Sequence, residues 1–144
     1  MAYVEGEEPK SRLLVDDVAF CALELMNALE GDRKAAYEYL FRTYYVYGEL
    51  LEEVKKKYDA TLVFFVVSKD ARGMGVGKEL WNDVLEYFKQ KGAKSAYLFS
   101  DTECNFEFYD YVGFVKRASR KVEYKFDDKQ KNFKQLVFLY DYEI

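Results

Sequence analysis

The run Leu62-Val63-Phe64-Phe65-Val66-Val67 stops at Ser68, and glycine then recurs at alternate positions, Gly73, Gly75 and Gly77. An amphipathic pattern begins near Gly77 and runs to Gly92, with Trp81, Val84, Leu85 and Phe88 spaced for one helical face. An apolar β-branched run, a glycine loop and a helix in that order form a backbone anion site. Glycine lets the chain turn with positive φ and lets a ligand approach the main chain. The first N–H groups of the helix lack intrahelical acceptors, and the helix dipole favours negative charge beside them. Arg72 adds a fixed cation, so the expected guest is a phosphate or pyrophosphate.

Spacing separates the kinds of glycine loop. A mononucleotide loop needs G-x-x-x-x-G-K followed by Ser or Thr. Gly77-Lys78 matches its end, but Arg72 stands where the first glycine belongs and Glu79 where the hydroxyl belongs. A dinucleotide loop needs G-x-G-x-x-G, and starting from Gly73 or Gly75 puts Lys78 or Leu80 at its third glycine. Arg72-Gly73-Met74-Gly75-Val76-Gly77 instead reads R-x-x-G-x-G. Further on, Ala96-Tyr97-Leu98-Phe99-Ser100-Asp101 reads as a buried strand. Phe108-Tyr109 then leads through a short helix to Gly113-Phe114 and another strand.

In these motifs, their order and their separation, the chain resembles the GNAT superfamily of acyl-CoA N-acyltransferases, closely over about 58–118 and loosely beyond. The resemblance implies an α/β (α+β) fold with a mixed central sheet flanked by helices, here with two helices ahead of the CoA-binding strand. It implies acetyl-CoA as co-substrate. The amides of Arg72, Gly73, Gly75, Val76, Gly77 and Lys78 would hold the pyrophosphate, with Met74 in the same loop. Val66 and Val67 would flank the pantetheine, and Phe108 would line the same site. Tyr109 would protonate the departing thiolate, a task that suits a nearby O–H donor. Many members carry Asn seven residues before this tyrosine, where this chain has Thr102. Asn105 either contacts CoA or turns the helix start, and Ser100, Asp101 and Thr102 are expected as helix-entry residues.

The activity implied is direct transfer of an acetyl group to an amine, either a small molecule or a peptide, in a ternary complex. The alternative is an acyl-CoA-binding or interaction module with little catalysis. A base must take the amine's proton; the chain has no histidine, which excludes histidine relays. Asp59, Glu49 and Glu103 are the carboxylates considered.

Composition bounds the rest. With 144 residues, one domain spanning 1–144 is expected, and half the residues are hydrophobic. A net charge of −4 argues against a general nucleic-acid surface. Lys116, Arg117, Arg120 and Lys121 form a local basic cluster, expected on an exposed strand near the anionic co-substrate. The two cysteines, Cys21 and Cys104, offer no metal-ligand spacing. The N-terminal stretch has no apolar signal core and no run reaches membrane-spanning length, so a cytoplasmic protein without membrane contact is expected.

Towards the N-terminus, 2–4 and 12–15 suggest a small hairpin, followed by helices at about 16–30 and 33–57. The second helix carries the apolar stripe Tyr37, Leu40, Phe41, Tyr44, Tyr45, Leu50, Leu51 and Val54. Its end, Lys55-Lys56-Lys57, reads as a solvated terminus favoured by the dipole. Strands are expected over 60–67, 114–126 and 133–142, the last two pairing antiparallel around a polar turn at 127–132. No first strand is evident, so the family fold looks shortened at its N-terminus. An open sheet edge would then invite a second copy, as a homodimer.

Overall fold

The computed structural model describes residues 2–6, 33–124 and 133–144. In chain order these form β1 (Ala2–Val4), α1 (Arg33–Val54), β2 (Ala60–Leu62), α2 (Val76–Gln90), β3 (Ser95–Asp101), α3 (Glu107–Tyr111), β4 (Val115–Tyr124) and β5 (Phe133–Glu143). A short 3-10 turn at Lys69–Ala71 precedes α2. The sheet order is β1-β2-β3-β5-β4. Only the β2–β3 pair is parallel among these neighbours; the others are antiparallel. A parallel neighbour requires a crossover, and the glycine loop with α2 supplies it.

The period of two along β3 and β5 sends alternate side chains to opposite faces. Ala96, Leu98, Phe138 and Tyr140 pack with Trp81 and Phe88 of α2 and with Phe114. Val137 and Leu139 pack with Val46 and Leu50 of α1, and Tyr97 and Phe99 lean on that cluster. Helices therefore cover both faces of the mixed sheet, as the fold class anticipated.

Several boundaries differ from the sequence reading. β1 pairs with β2, Ala2 opposite Leu62 and Val4 opposite Ala60. A first strand thus exists, and it covers the edge of β2 over these residues. The hairpin partner at 12–15, the helix at 16–30 and the turn at 127–132 lie outside the described residues, as does Cys21.

β2 ends at Leu62 although the apolar run continues to Val67. Its register with β3 extends over Ala60–Ala96 and Thr61–Tyr97. The last register partners are Ala2 for Leu62 on β1 and Tyr97 for Thr61 on β3, so among the described residues β-propensity beyond Leu62 finds no strand to pair with. Val63, Phe64 and Val66 are exposed there. In α1 the sheet-facing side chains are Thr43, Val46 and Leu50, whereas Tyr44 and Tyr45, expected in the stripe, are more than half exposed. At the end of α2, Gly92 takes φ 76, and Ala93 N–H donates to Phe88 O at 3.0 Å, a left-handed C-terminal cap.

The lysine-rich end of α1 is not simply solvated. α1 stops at Val54, Lys55 takes φ 52, and Lys56 Nζ donates to Asp141 Oδ2 at 2.8 Å and to Glu143. Asp141 is fully buried, and Arg117 Nε donates to its other oxygen at 2.7 Å. A register shift between Lys116 and Ala118 marks where β4 admits Arg117 as an extra residue. The expected basic cluster is thereby dispersed. Arg117 holds Asp141, Arg120 pairs with Glu53 at 2.8 Å and Glu49 at 3.5 Å, and Lys116 lies 4.0 Å over the Phe138 ring.

Candidate functional site

The early end of β2 leaves a gap. β3 continues to Asp101 and is paired with β5 along its whole length. Beyond Tyr97 its other edge has no β2 partner, because the chain from Val63 to Ser68 is outside the sheet. Among the described residues no strand pairs with the backbone of 63–67 or with the outer edge of 98–101, which leaves a splay in the sheet there. Ser100 Oγ is buried on this stretch, with the Cys104 thiol beside it.

The glycine loop closes one end of the splay. Gly73 and Gly75 take φ 78 and 84, and nothing lies within 4 Å of the position a Cβ would occupy on either. Gly75 is the N-cap of α2, and its carbonyl accepts from Lys78 N at 2.9 Å and Glu79 N at 3.1 Å. The amide of Arg72 is likewise engaged, donating to Lys69 O at 3.3 Å. Of the six amides the sequence assigned to an anion, those of Arg72 and Lys78 are therefore already used. The amides of Gly73, Gly75, Val76 and Gly77, together with that of Met74, have no backbone acceptor among the described residues. They lie at the start of a 15-residue helix. Met74 is 73% exposed, so its side chain adds little to the shape of the cradle. Lys78 places its ammonium 5.9 Å from the centre of the Tyr111 ring.

Gly77 has a different role from its two neighbours. A Cβ there would stand 3.3 Å from Phe108 Cε2 and 3.7 Å from Val67 Cγ2. Phe108 also stacks on Phe65 with centroids 5.5 Å apart. Its ring thus wedges the strand continuation against the start of α2, and Val67 touches the same spot. Val66 is exposed.

Tyr109 comes from α3. Its ring packs on Phe114 at 5.7 Å and Tyr140 at 5.9 Å. Burial, with a contribution from Cys104, pushes its phenol up to about 12, so it is a neutral O–H donor throughout the physiological range. Asp101 shapes the entry to α3: its Oδ1 accepts from Glu103 N at 2.8 Å and Cys104 N at 3.1 Å. Thr102 extends the β3–β5 ladder, donating to Leu136 O at 3.1 Å while its Oγ1 accepts from Leu136 N at 3.2 Å. Asn105 is exposed, and its carbonyl accepts from Phe108 N at 3.3 Å.

The three carboxylates considered as bases fare differently. Asp59 Oδ2 accepts from the amides of Lys94 and Ser95 at 2.9 and 3.1 Å, and from the Ser95 hydroxyl. The Lys94 amide bond, above the others, holds its carboxyl below the usual range. It staples the N-terminal ends of β2 and β3, the end away from the loop. Glu49, on α1, pairs with Arg120 of β4 at 3.5 Å. Glu103 is exposed in the loop after β3. Asp101, given only a helix-entry role by the sequence, is the carboxylate at the end of β3; its position beyond the last β2 pairing is a tertiary fact with no local signal.

The acetyltransferase (GNAT) family model matches residues 20–114. No curated protein matches the chain. Solved structures with similar folds include an acetyltransferase from Bacillus cereus, at 19% identity and TM-score 0.47, covering 59% of this chain and 55% of that one. Ard1 from Thermoplasma volcanium is 23% identical, with TM-score 0.46 and coverage of 59% and 54%. A GNAT acetyltransferase from Elizabethkingia anophelis, solved with acetyl-CoA bound, is 18% identical, with TM-score 0.45 and coverage of 59% and 60%. The chain therefore spans little more than half the length of these structures. With the family model running unbroken from ahead of α1 through the glycine loop and the Tyr109 helix to Phe114, the chain belongs to the GNAT acetyltransferase family.

Proposed function

We propose that this chain is an acetyl-CoA-dependent N-acetyltransferase, a single domain that transfers acetyl directly to an amine. The observation that carries the reading is the pairing of an open amide cradle, residues 73–77, with a splay in the sheet that begins where β2 ends. A diphosphate suits unpartnered amides at a helix start, and an extended amide-bearing arm suits two unpaired strand edges. The buried Ser100 hydroxyl offers that arm a further polar contact.

Acetyl-CoA supplies the activated acetyl thioester. The amides of Gly73 to Gly77 hold the diphosphate and Arg72 adds charge from the loop. Val66 and Val67 offer main-chain N–H groups, outside any strand pairing, to the thioester oxygen, where donors are worth most as negative charge develops. The amine nitrogen bonds to the thioester carbon as the C–S bond breaks; Tyr109 gives its proton to the departing sulfur, which its neutral phenol can do at pH 7, and the proton lost by the nitrogen returns through solvent water to the phenolate.

Calorimetric titration with acetyl-CoA, with ATP alongside, tests the cradle. Saturable acetyl-CoA binding without ATP binding supports the reading, and thiol release with an amine present then tests transfer. Binding without any release under a broad amine screen would favour the non-catalytic module. Equal ATP and acetyl-CoA binding would overturn the diphosphate-and-arm assignment.

A further inference from the structure

β4 is the last strand in the order β1-β2-β3-β5-β4, so among the described residues its outer edge has no strand beside it. The register fixes which groups that edge presents. Leu136 of β5 turns both of its backbone groups towards β3: its N–H donates to Thr102 Oγ1 at 3.2 Å, and its carbonyl accepts from Thr102 N at 3.1 Å. Lys121, opposite Leu136, then points its own N–H and carbonyl away from β5. The alternation of an antiparallel ladder turns Ser119 and Glu123 the same way. Arg42 of α1 agrees with this, its Nη1 reaching the Glu123 carbonyl at 3.3 Å. The register shift between Lys116 and Ala118 interrupts the start of the edge, which leaves 119–124 as its regular part.

A cleft of about 440 Å³ separates this edge from α1. Val46 and Val122 line it from the core, and Tyr45, 62% exposed, lines it from α1. An unpaired edge is a template for a further strand, and an exposed tyrosine beside it is the kind of side chain that interfaces cover.

The charges on the edge select the occupant. Val122 packs towards α1, so Lys121 and Glu123 on either side of it share the opposite face. Lys121 is exposed and has no ion pair among the described residues, while Glu123 pairs with Lys134 at 3.2 Å. An edge that carries both signs suits neither an acidic nor a basic segment, but it suits itself. A second β4, antiparallel with the two-fold axis at Val122, sets Lys121 opposite the partner's Glu123, and this happens twice. Both residues face outward, so each pair exchanges two backbone hydrogen bonds as well as opposite charge. An axis at Lys121 would instead oppose that lysine to itself. An axis at Arg120 would oppose Glu123 to the partner's Arg117, which Asp141 already holds at 2.7 Å.

We infer that β4 is a homodimer interface, in which two copies of this chain pair β4 with β4 across Val122 and join two five-stranded sheets into one. β5 separates this edge from the splay, so the inference does not depend on the acetyltransferase reading.

Sedimentation velocity of the full chain from about 1 to about 100 μM, a range that brackets a micromolar Kd, tests it. Wild-type protein should pass from monomer to dimer as concentration rises. Lys121→Glu sets glutamate against the partner's Glu123, and Glu123→Lys sets lysine against the partner's Lys121. Each variant alone should therefore associate at least tenfold more weakly. Mixed in equal amounts, the two variants oppose unlike charges at both positions and should dimerise within threefold of wild type. The double variant Lys121→Glu/Glu123→Lys restores the same pairing in one chain and should do likewise, which a folding defect in a single variant would not allow. A wild-type chain that stays monomeric overturns the interface and leaves the edge to a different partner. A dimer that neither single variant weakens overturns it as well, as does a mixture that associates no better than its components.

Discussion

Replacing Gly75 with Glu separates backbone strain from charge at the cradle. Gly75 has φ 84 as the N-cap of α2, and no atom of the chain lies within 4 Å of its missing Cβ. Any L-residue there costs about 1–2 kcal/mol of folding stability, from the left-handed backbone alone. Gly75→Ala carries that cost and adds no charge. Gly75→Glu carries the same cost and sets a carboxylate among the unpartnered amides. Two unit charges 4 Å apart repel by about 1 kcal/mol in water and about 4 kcal/mol near a protein surface. Taking about 2 kcal/mol for each of two diphosphate charges gives about 4 kcal/mol, or roughly a thousandfold in Kd. A carboxylate at a helix start is itself favourable, so the Glu variant should melt no lower than the Ala variant. The assay is calorimetric titration of both variants with acetyl-CoA, beside thermal melts. Glu and Ala variants that bind within threefold of each other would refute a diphosphate at this loop.

Tyr109→Phe should lower kcat by about tenfold to a hundredfold in a thiol-release assay while leaving acetyl-CoA affinity unchanged, because the ring packing on Phe114 and Tyr140 survives. An unchanged kcat would remove Tyr109 from the chemistry. Asp141→Asn should cost about 2–4 kcal/mol in urea unfolding at pH 7, below the full penalty for a broken buried pair, because Lys56 and Arg117 can reach water. Burial raises the carboxyl of Asp141, but the hydrogen bonds from Lys56 and Arg117 outweigh it, and the folded value lies below the ordinary one. Its stabilisation is thus present above about pH 4 and lost as pH falls through the folded value, so wild type and variant should converge in strong acid. A gap that stays constant down to pH 2 would count against the ion pairs.

The sequence by itself determined the glycine loop, the helix behind it and the Tyr109 turn, because each rests on short-range rules. Positive φ at Gly73 and Gly75 and the cap at Gly92 are local backbone requirements, legible where glycine is the residue that meets them cheaply. The i, i+3, i+4 stripe of α2 and the pairing of β4 with β5 are similarly close in sequence. Tertiary structure decided the rest. The apolar run 62–67 has the composition of a strand throughout, but a strand needs neighbours, and β1 and β3 accompany it only at its start. The splay is therefore made by missing partners, which no local pattern encodes. Tyr44 and Tyr45 turned outward because Thr43, Val46 and Leu50 meet the sheet, a choice set by where β4 and β5 lie. Lys56 and Arg117 became partners of a buried Asp141, residues far apart in sequence that the fold brings together. The outward turn of Lys121 is likewise set by the register of β4 on β5, since which strand edge goes without a partner depends on the order of the whole sheet.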